Sequence, residues 1–146
     1  MNEQYEKNKA WLRRYQESIR EEQLLIEEIE QLKSEAARIT PCLSTVPGGG
    51  GQGDGLPRAV EKLMEAQQRL ECQIKYSCKA RVEIVKVLKE VKNVQEREIL
   101  MRRYLLRRRW EEISKEMSMS KRWLLKQHRK AVEELHIPSK EDTQSP

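Results

Sequence analysis

The chain has 146 residues and a net charge of +5, with 36% charged and 37% hydrophobic residues, seven aromatics and no Phe. That allows one or two small domains and favours long solvent-exposed helices over a thick globular core. No apolar run approaches the roughly 18 residues of a membrane span, and MNEQYEKNKA has no apolar segment of the kind a secretory signal needs.

Residues 1–40 are expected to form one long helix. Leu12, Tyr15, Ile19, Ile26 and Ile29 follow helical spacing, and Leu25, Ile29, Leu32, Ala36 and Ile39 continue it as a shifted stripe. Residues 41–57 contain all six glycines, framed by Pro41, Pro47 and Pro57. A flexible linker is expected there, because such a segment buries too little to fix its backbone. The formal GxGxxG at Gly48, Gly50 and Gly53 lacks a preceding strand and a following Lys-Ser/Thr, so it carries little weight as a nucleotide motif. Cys42, Cys72 and Cys78 form no CxxC pair and read as reduced thiols.

Residues 58–92 are expected to form a second long helix. Leu56, Val60, Leu63, Gln67, Leu70, Ile74, Ser77, Arg81, Ile84, Leu88 and Val91 step by alternating fours and threes, the pattern of a heptad seam. Gln67, Ser77 and Arg81 would be its polar positions. Two such helices, each about 50 Å long, joined by a slack connection favour an antiparallel coiled-coil hairpin. The alternative is pairing with a second copy as a homodimer.

Charge is distributed unevenly. Residues 92–130 carry thirteen Lys/Arg against five Glu, whereas residues 1–40 carry seven basic against nine acidic residues. A polyanionic partner is therefore expected for the C-terminal part alone. Asn93 can cap a third helix, with Val94, Ile99, Leu100 and Tyr104 on its apolar side. WEEISKEM (110–117) reads as a short helix with Ile113 and Met117 inward and Ser114 small enough for close approach. Ser118 and Met119 form a break, and Ser120 can cap the last helix. On that helix Leu124, His128, Ala131 and Leu135 share one face, while Arg122, Lys126 and Arg129 lie opposite, flanked by Trp123 and Lys130.

This helix-break-helix over 93–136 implies double-stranded DNA contact. Arg107, Arg108 and Arg109 and the cationic ridge would neutralise phosphates. Arg122, Lys126 or Gln127 would read base edges, with Ser120 and Lys121 at the entering end. Trp123 either packs at the edge of the module or lies against sugar, base or a protein partner. His128 is expected to be a packed core histidine, and neither a metal nor a cofactor is expected. No carboxylate pair or nucleophile-base set suggests an enzyme. The polar tail 137–146 is expected to be disordered.

EREILMRRYLLRRRWEEISKEMSMSKRWLLKQHRKAVEEL resembles the fourth conserved region of RNA polymerase sigma factors, through Ile99-Leu100, Arg103-Tyr104, Glu112-Ile113, Ser120 and Leu124. Nearly the whole chain is similar to a family of small phage and prophage proteins of unknown function. The resemblance implies an all-α protein: a long antiparallel helical hairpin plus a C-terminal three-helix helix-turn-helix module. It implies regulation of phage or prophage transcription in the cytoplasm of a bacterial host, with host RNA polymerase as a further partner. Arg122, Trp123, Lys126 and Gln127 would face the duplex, and Arg103 would pair with Glu112. Leu106-Arg107 and Arg109 stand where that family commonly has an Asn-Gly turn and a Thr cap, and Ser118 replaces a turn glycine. The helix from 93 is therefore expected to run on past 105. Two alternatives are an adaptor that grips polymerase without touching DNA, and a small DNA-packaging subunit resembling those of terminases.

Overall fold

The structure, a computed structural model, describes residues 3–45 and 55–138, with side chains described throughout except at 40–45. The central linker 46–54 with its glycine motif, the Cys42 thiol and the tail from 139 onward lie outside the described residues. The described residues are all-helical: α1 (Glu3–Thr45), α2 (Gly55–Lys89), α3 (Val94–Leu100), α4 (Trp110–Met117) and α5 (Lys121–Glu134). No helix among them is long and apolar enough to cross a membrane.

Both long helices extend beyond their expected ends toward the linker. α1 crosses Pro41, since a proline near a helix end removes one hydrogen bond of many. α2 holds Pro57 in its first turn, where the missing N–H has no intrahelical partner in any case. Two compact units are formed, one of Met1–Glu17 with Ser77–Pro146 and one of Ser18–Tyr76.

In Ser18–Tyr76, Gln73 donates to the Ser18 carbonyl at 3.1 Å and Arg69 pairs with Glu28 at 3.0 Å. Ile39 stands 3.6 Å from where a Cβ on Gly55 would lie. Numbers rise along one helix as they fall along the other, so the two stretches run antiparallel. The contact face of α2 differs from the seam expected from its larger residues. Ala66 and Ala80 are buried and Ala59 and Gln73 are half-buried, while Val60, Gln67, Ile74 and Arg81 are exposed. Four seam positions, 60, 67, 74 and 81, are thus each displaced by one residue to the neighbour before them, while Leu88 stays buried. Alanine admits a closer helix approach than valine or glutamine, and close approach decides which line of a helix is covered. Of the expected polar seam residues only Ser77 is buried. On α1 the stripe through Leu25, Ile29, Leu32, Ala36 and Ile39 faces inward, whereas Ile26 is exposed.

The unit of Met1–Glu17 with Ser77–Pro146 has two apolar clusters. The larger unites Leu12, Ile84, Val87, Leu88, Leu100, Tyr104, Leu105, Ala131, Val132 and Leu135. Ile137 packs on this cluster, so the first residue of the expected disordered tail belongs to the fold. The smaller cluster joins Ile99, Ile113 and Leu124, with Trp110, Met117 and Met119 against them. α5 contributes to both clusters and is thereby clamped from two sides.

The short helices are delimited by caps. Asn93 accepts from the Glu96 N–H at 3.1 Å and starts α3. Val94, expected on the apolar side, is exposed because it occupies the first helical position, beyond the reach of the core. α3 passes into a π turn, Met101–Leu105, and does not run on. Arg107 then takes a left-handed conformation, φ 56°, at the place where a glycine would be expected to turn the chain. Arg109 precedes α4 without a side-chain cap, as befits a donor-only guanidinium. Glu112 compensates by accepting from the Arg109 backbone N–H at 3.2 Å. At the far end Ser118 is also left-handed, φ 54°. The Ser114 carbonyl accepts from Met119 N–H at 3.1 Å, and the Ser114 hydroxyl donates to the Met119 carbonyl. Ser114 therefore fastens the turn as well as allowing close packing. Ser120 accepts from the Trp123 N–H at 3.2 Å and caps α5.

The C-terminus of α5 is held from α1. Asn8, buried, donates to the carbonyls of Val132 at 2.7 Å and Leu135 at 3.1 Å. The Val132 oxygen also accepts from the Leu135 N–H at 3.3 Å, and the Leu135 oxygen lies past the helix end, where no further turn supplies donors.

Two stability changes are expected in urea unfolding. Ser118→Gly should raise unfolding free energy by about 1 kcal/mol, because glycine accepts positive φ without a Cβ clash; Ser118→Val should lower it. Asn8→Leu should cost about 1–3 kcal/mol by leaving the Leu135 carbonyl without its Asn8 donor and the Val132 carbonyl with only the Leu135 N–H; an unchanged midpoint would remove Asn8 as the tie.

Candidate functional site

α5 has two faces. Leu124, His128, Ala131, Val132 and Leu135 are buried. Lys121, Arg122, Trp123, Lys126, Arg129 and Lys130 are exposed, and Gln127 is half-buried. At 100° per residue Arg122 and Lys126 fall opposite the buried stripe. Among the described residues neither makes an ion pair, so both cations are open to an external anion.

The remaining cations are partly engaged. Arg129 pairs with Glu133 at 3.3 Å on its own helix and lies 5.2 Å from the Tyr5 ring centroid, which turns the third member of the ridge toward α1. Lys130 stands 4.0 Å from buried Glu96. Lys121 pairs with Glu111 at 3.0 Å, and the Glu111 carboxyl is held below its ordinary range by a backbone N–H at the start of α4 and by Lys121. Of the three consecutive arginines, Arg108 reaches Glu116 at 3.7 Å and Arg109 reaches Glu112 at 3.5 Å. Arg107 is exposed and, among the described residues, without an ion pair. Exposed pairs of this kind are worth little and yield readily to a phosphate.

Arg103 does not pair with Glu112, the partner the sequence resemblance implied. Its guanidinium donates to the Arg108 carbonyl at 3.0 Å and stacks over Trp110 at 5.0 Å. The left-handed Arg107 brings that carbonyl back toward the π turn, while Glu112 is occupied by Arg109. Arg102 makes the link to α4 instead, through Glu116 at 2.7 Å.

Trp123 is 44% exposed, next to Arg122. His128 is enclosed by Tyr104, Trp110 and Tyr5, with ring centroids 5.6, 5.0 and 6.2 Å away. The Tyr104 hydroxyl lies 2.6 Å from His128 Nε2. Burial raises the Tyr104 pKa, so the phenol keeps its proton, and the direction of its bond with Nε2 follows the imidazole tautomer. Burial first, then Lys9, Arg103 and Arg13, push the His128 pKa down from 6.5 to about 4. Among the described residues no group of three His, Cys, Asp or Glu side chains is placed to hold a metal ion. Cys72 and Cys78 are free, exposed thiols.

Asn8, Tyr5 and buried Glu96 were not identified from sequence. Tyr5, Asn8, Leu12 and Tyr15 step by three and four, so a polar residue within an apolar stripe was the available signal.

Because the folded state holds His128 neutral, its stabilising contribution is full above pH 6.5 and is lost as pH falls toward 4. Lowering pH from about 7 to about 5 should therefore cost about 2 kcal/mol of unfolding free energy. His128→Gln should flatten that part of the profile; a variant with the wild-type slope would exclude His128 as its source.

No curated protein and no solved structure matches the chain. The model of the family described as "Protein of unknown function (DUF1492)" matches residues 39–136, which include all of α2, α3, α4 and α5. The chain belongs to the DUF1492 family of proteins of unknown function.

Proposed function

We propose that the chain is a double-stranded DNA-binding transcription regulator of phage or prophage genes. In this reading α1 and α2 form an antiparallel hairpin, and α3, α4 and α5 form a sigma-region-four-like helix-turn-helix. The observation that carries it is the two-faced α5. Its apolar stripe is buried, its Ser-capped N-terminus is exposed, and Arg122 and Lys126 stand outward without an ion pair among the described residues. A helix of this kind can enter the major groove by its N-terminal end. Arg122 offers a planar fork to guanine, Lys126 a mobile ammonium and Gln127 an amide. Arg107, and Arg108 and Arg109 after exchange of their weak carboxylate partners, supply phosphate contacts without sequence preference.

A second reading has a specific observation in its favour. Trp123 and Leu125 are 44% and 41% exposed on the same helix. An aromatic and a leucine among arginines suit a protein interface as well as a groove. In that reading the helix grips host RNA polymerase and leaves the duplex alone.

Gel shifts against a duplex enriched from a random pool distinguish the two. Arg122→Ala and Lys126→Ala should each weaken site-specific binding by about 1–3 kcal/mol. Replacing Arg107, Arg108 and Arg109 together should weaken all sequences alike and lower the salt slope by about 0.9 for each phosphate no longer neutralised. Affinity for duplex that is absent even at low salt would leave the adaptor reading standing and remove this one.

A further inference from the structure

We propose that a cavity of about 360 Å3 in the unit of Met1–Glu17 with Ser77–Pro146 binds a small phosphorylated anion of nucleotide size. Four cations line it, Lys9 and Arg13 from α1, Arg103 from the π turn and Arg129 from α5, and its lining contains no carboxylate. Aromatic faces and a carbonyl hold three of them. Lys9 and Arg129 lie 5.4 and 5.2 Å from the Tyr5 ring centroid, and Arg103 lies over Trp110 while donating to the Arg108 carbonyl. Ring faces and carbonyls orient a cation without cancelling its charge. Glu133 answers one of the four, Arg129, through a half-exposed pair on the same helix. The rest of this positive charge converges on one concavity, and such convergence is costly unless an anion completes it.

His128 also lines the cavity, and its pKa is lowered first by burial and then by Lys9, Arg103 and Arg13, three of the same cations. The volume falls within the roughly 300–1,000 Å3 of small-molecule sites and exceeds what a lone phosphate fills. Arginine forks match phosphate oxygens in pairs, and two or more phosphate charges are needed to answer four cations. The unit's other large cavity, about 430 Å3, mixes Glu90, Glu96 and Glu134 with Lys92 and Lys130, and so has no comparable preference of sign. Arg122 and Lys126 do not line the proposed site, which therefore stands or falls separately from duplex binding.

Isothermal titration of the full chain at low salt with ADP, pyrophosphate and adenosine tests the site. ADP and pyrophosphate should bind saturably, one per chain, and adenosine should not. Lys9→Gln/Arg13→Gln should weaken ADP binding at least tenfold with an unchanged thermal melt, and Arg122→Ala/Lys126→Ala should leave it intact. Absence of ADP and pyrophosphate binding at millimolar concentration would overturn the proposal. So would undiminished binding in the Lys9/Arg13 variant, or a loss confined to the Arg122/Lys126 variant.

Discussion

The seating of α5 is the constraint from which the rest follows. Leu124 enters the small cluster with Ile99 and Ile113; Ala131, Val132 and Leu135 enter the large one. Between them His128 is fixed by the Tyr104 hydroxyl. Asn8 ties down the last carbonyls, and Ser120 satisfies the orphan N–H of Trp123. A helix held at both ends and along one stripe cannot rotate about its axis. Its opposite face is therefore determined, and Arg122 and Lys126 are presented outward by the same packing that buries Leu124 and His128.

The approach to α5 depends on two left-handed residues that are not glycine. Arg107 turns the chain out of the π turn and Ser118 turns it between α4 and α5. Each conformation carries a backbone cost on the order of 1–2 kcal/mol. Local bonds offset it: the Arg108 carbonyl accepts from Arg103 after the first turn, and Ser114 closes the second through its carbonyl and its hydroxyl. The arginine cluster thus has a structural as well as an electrostatic role. Arg103 and Arg102 brace the module, while Arg107 is left facing solvent.

Much of this was legible in the sequence because it depends on local signals. Asn93, Ser118, Ser120 and the Leu124–His128–Ala131–Leu135 stripe are read from residue type and a 3.6 period alone. What was missed depends on partners distant in sequence. Asn8 finds its acceptors more than a hundred residues away. The α2 contact line follows Ala59, Ala66 and Ala80 because backbone approach, which hydropathy does not encode, favours small side chains. Arg103 takes a carbonyl in place of its expected carboxylate because a positive φ at Arg107 moves that carbonyl into reach. The outward face of α5 was foreseen, except that Arg129 is drawn to Tyr5 and Glu133.

Amide chemical-shift mapping during titration with an enriched duplex examines this face directly. The account predicts perturbations concentrated on Lys121–Gln127 and Arg107–Arg109, with the amides of Leu124 and His128 retaining slow hydrogen exchange throughout. Perturbations confined to Ser18–Tyr76, or exchange at Leu124 and His128 as fast as at the chain ends, would contradict it.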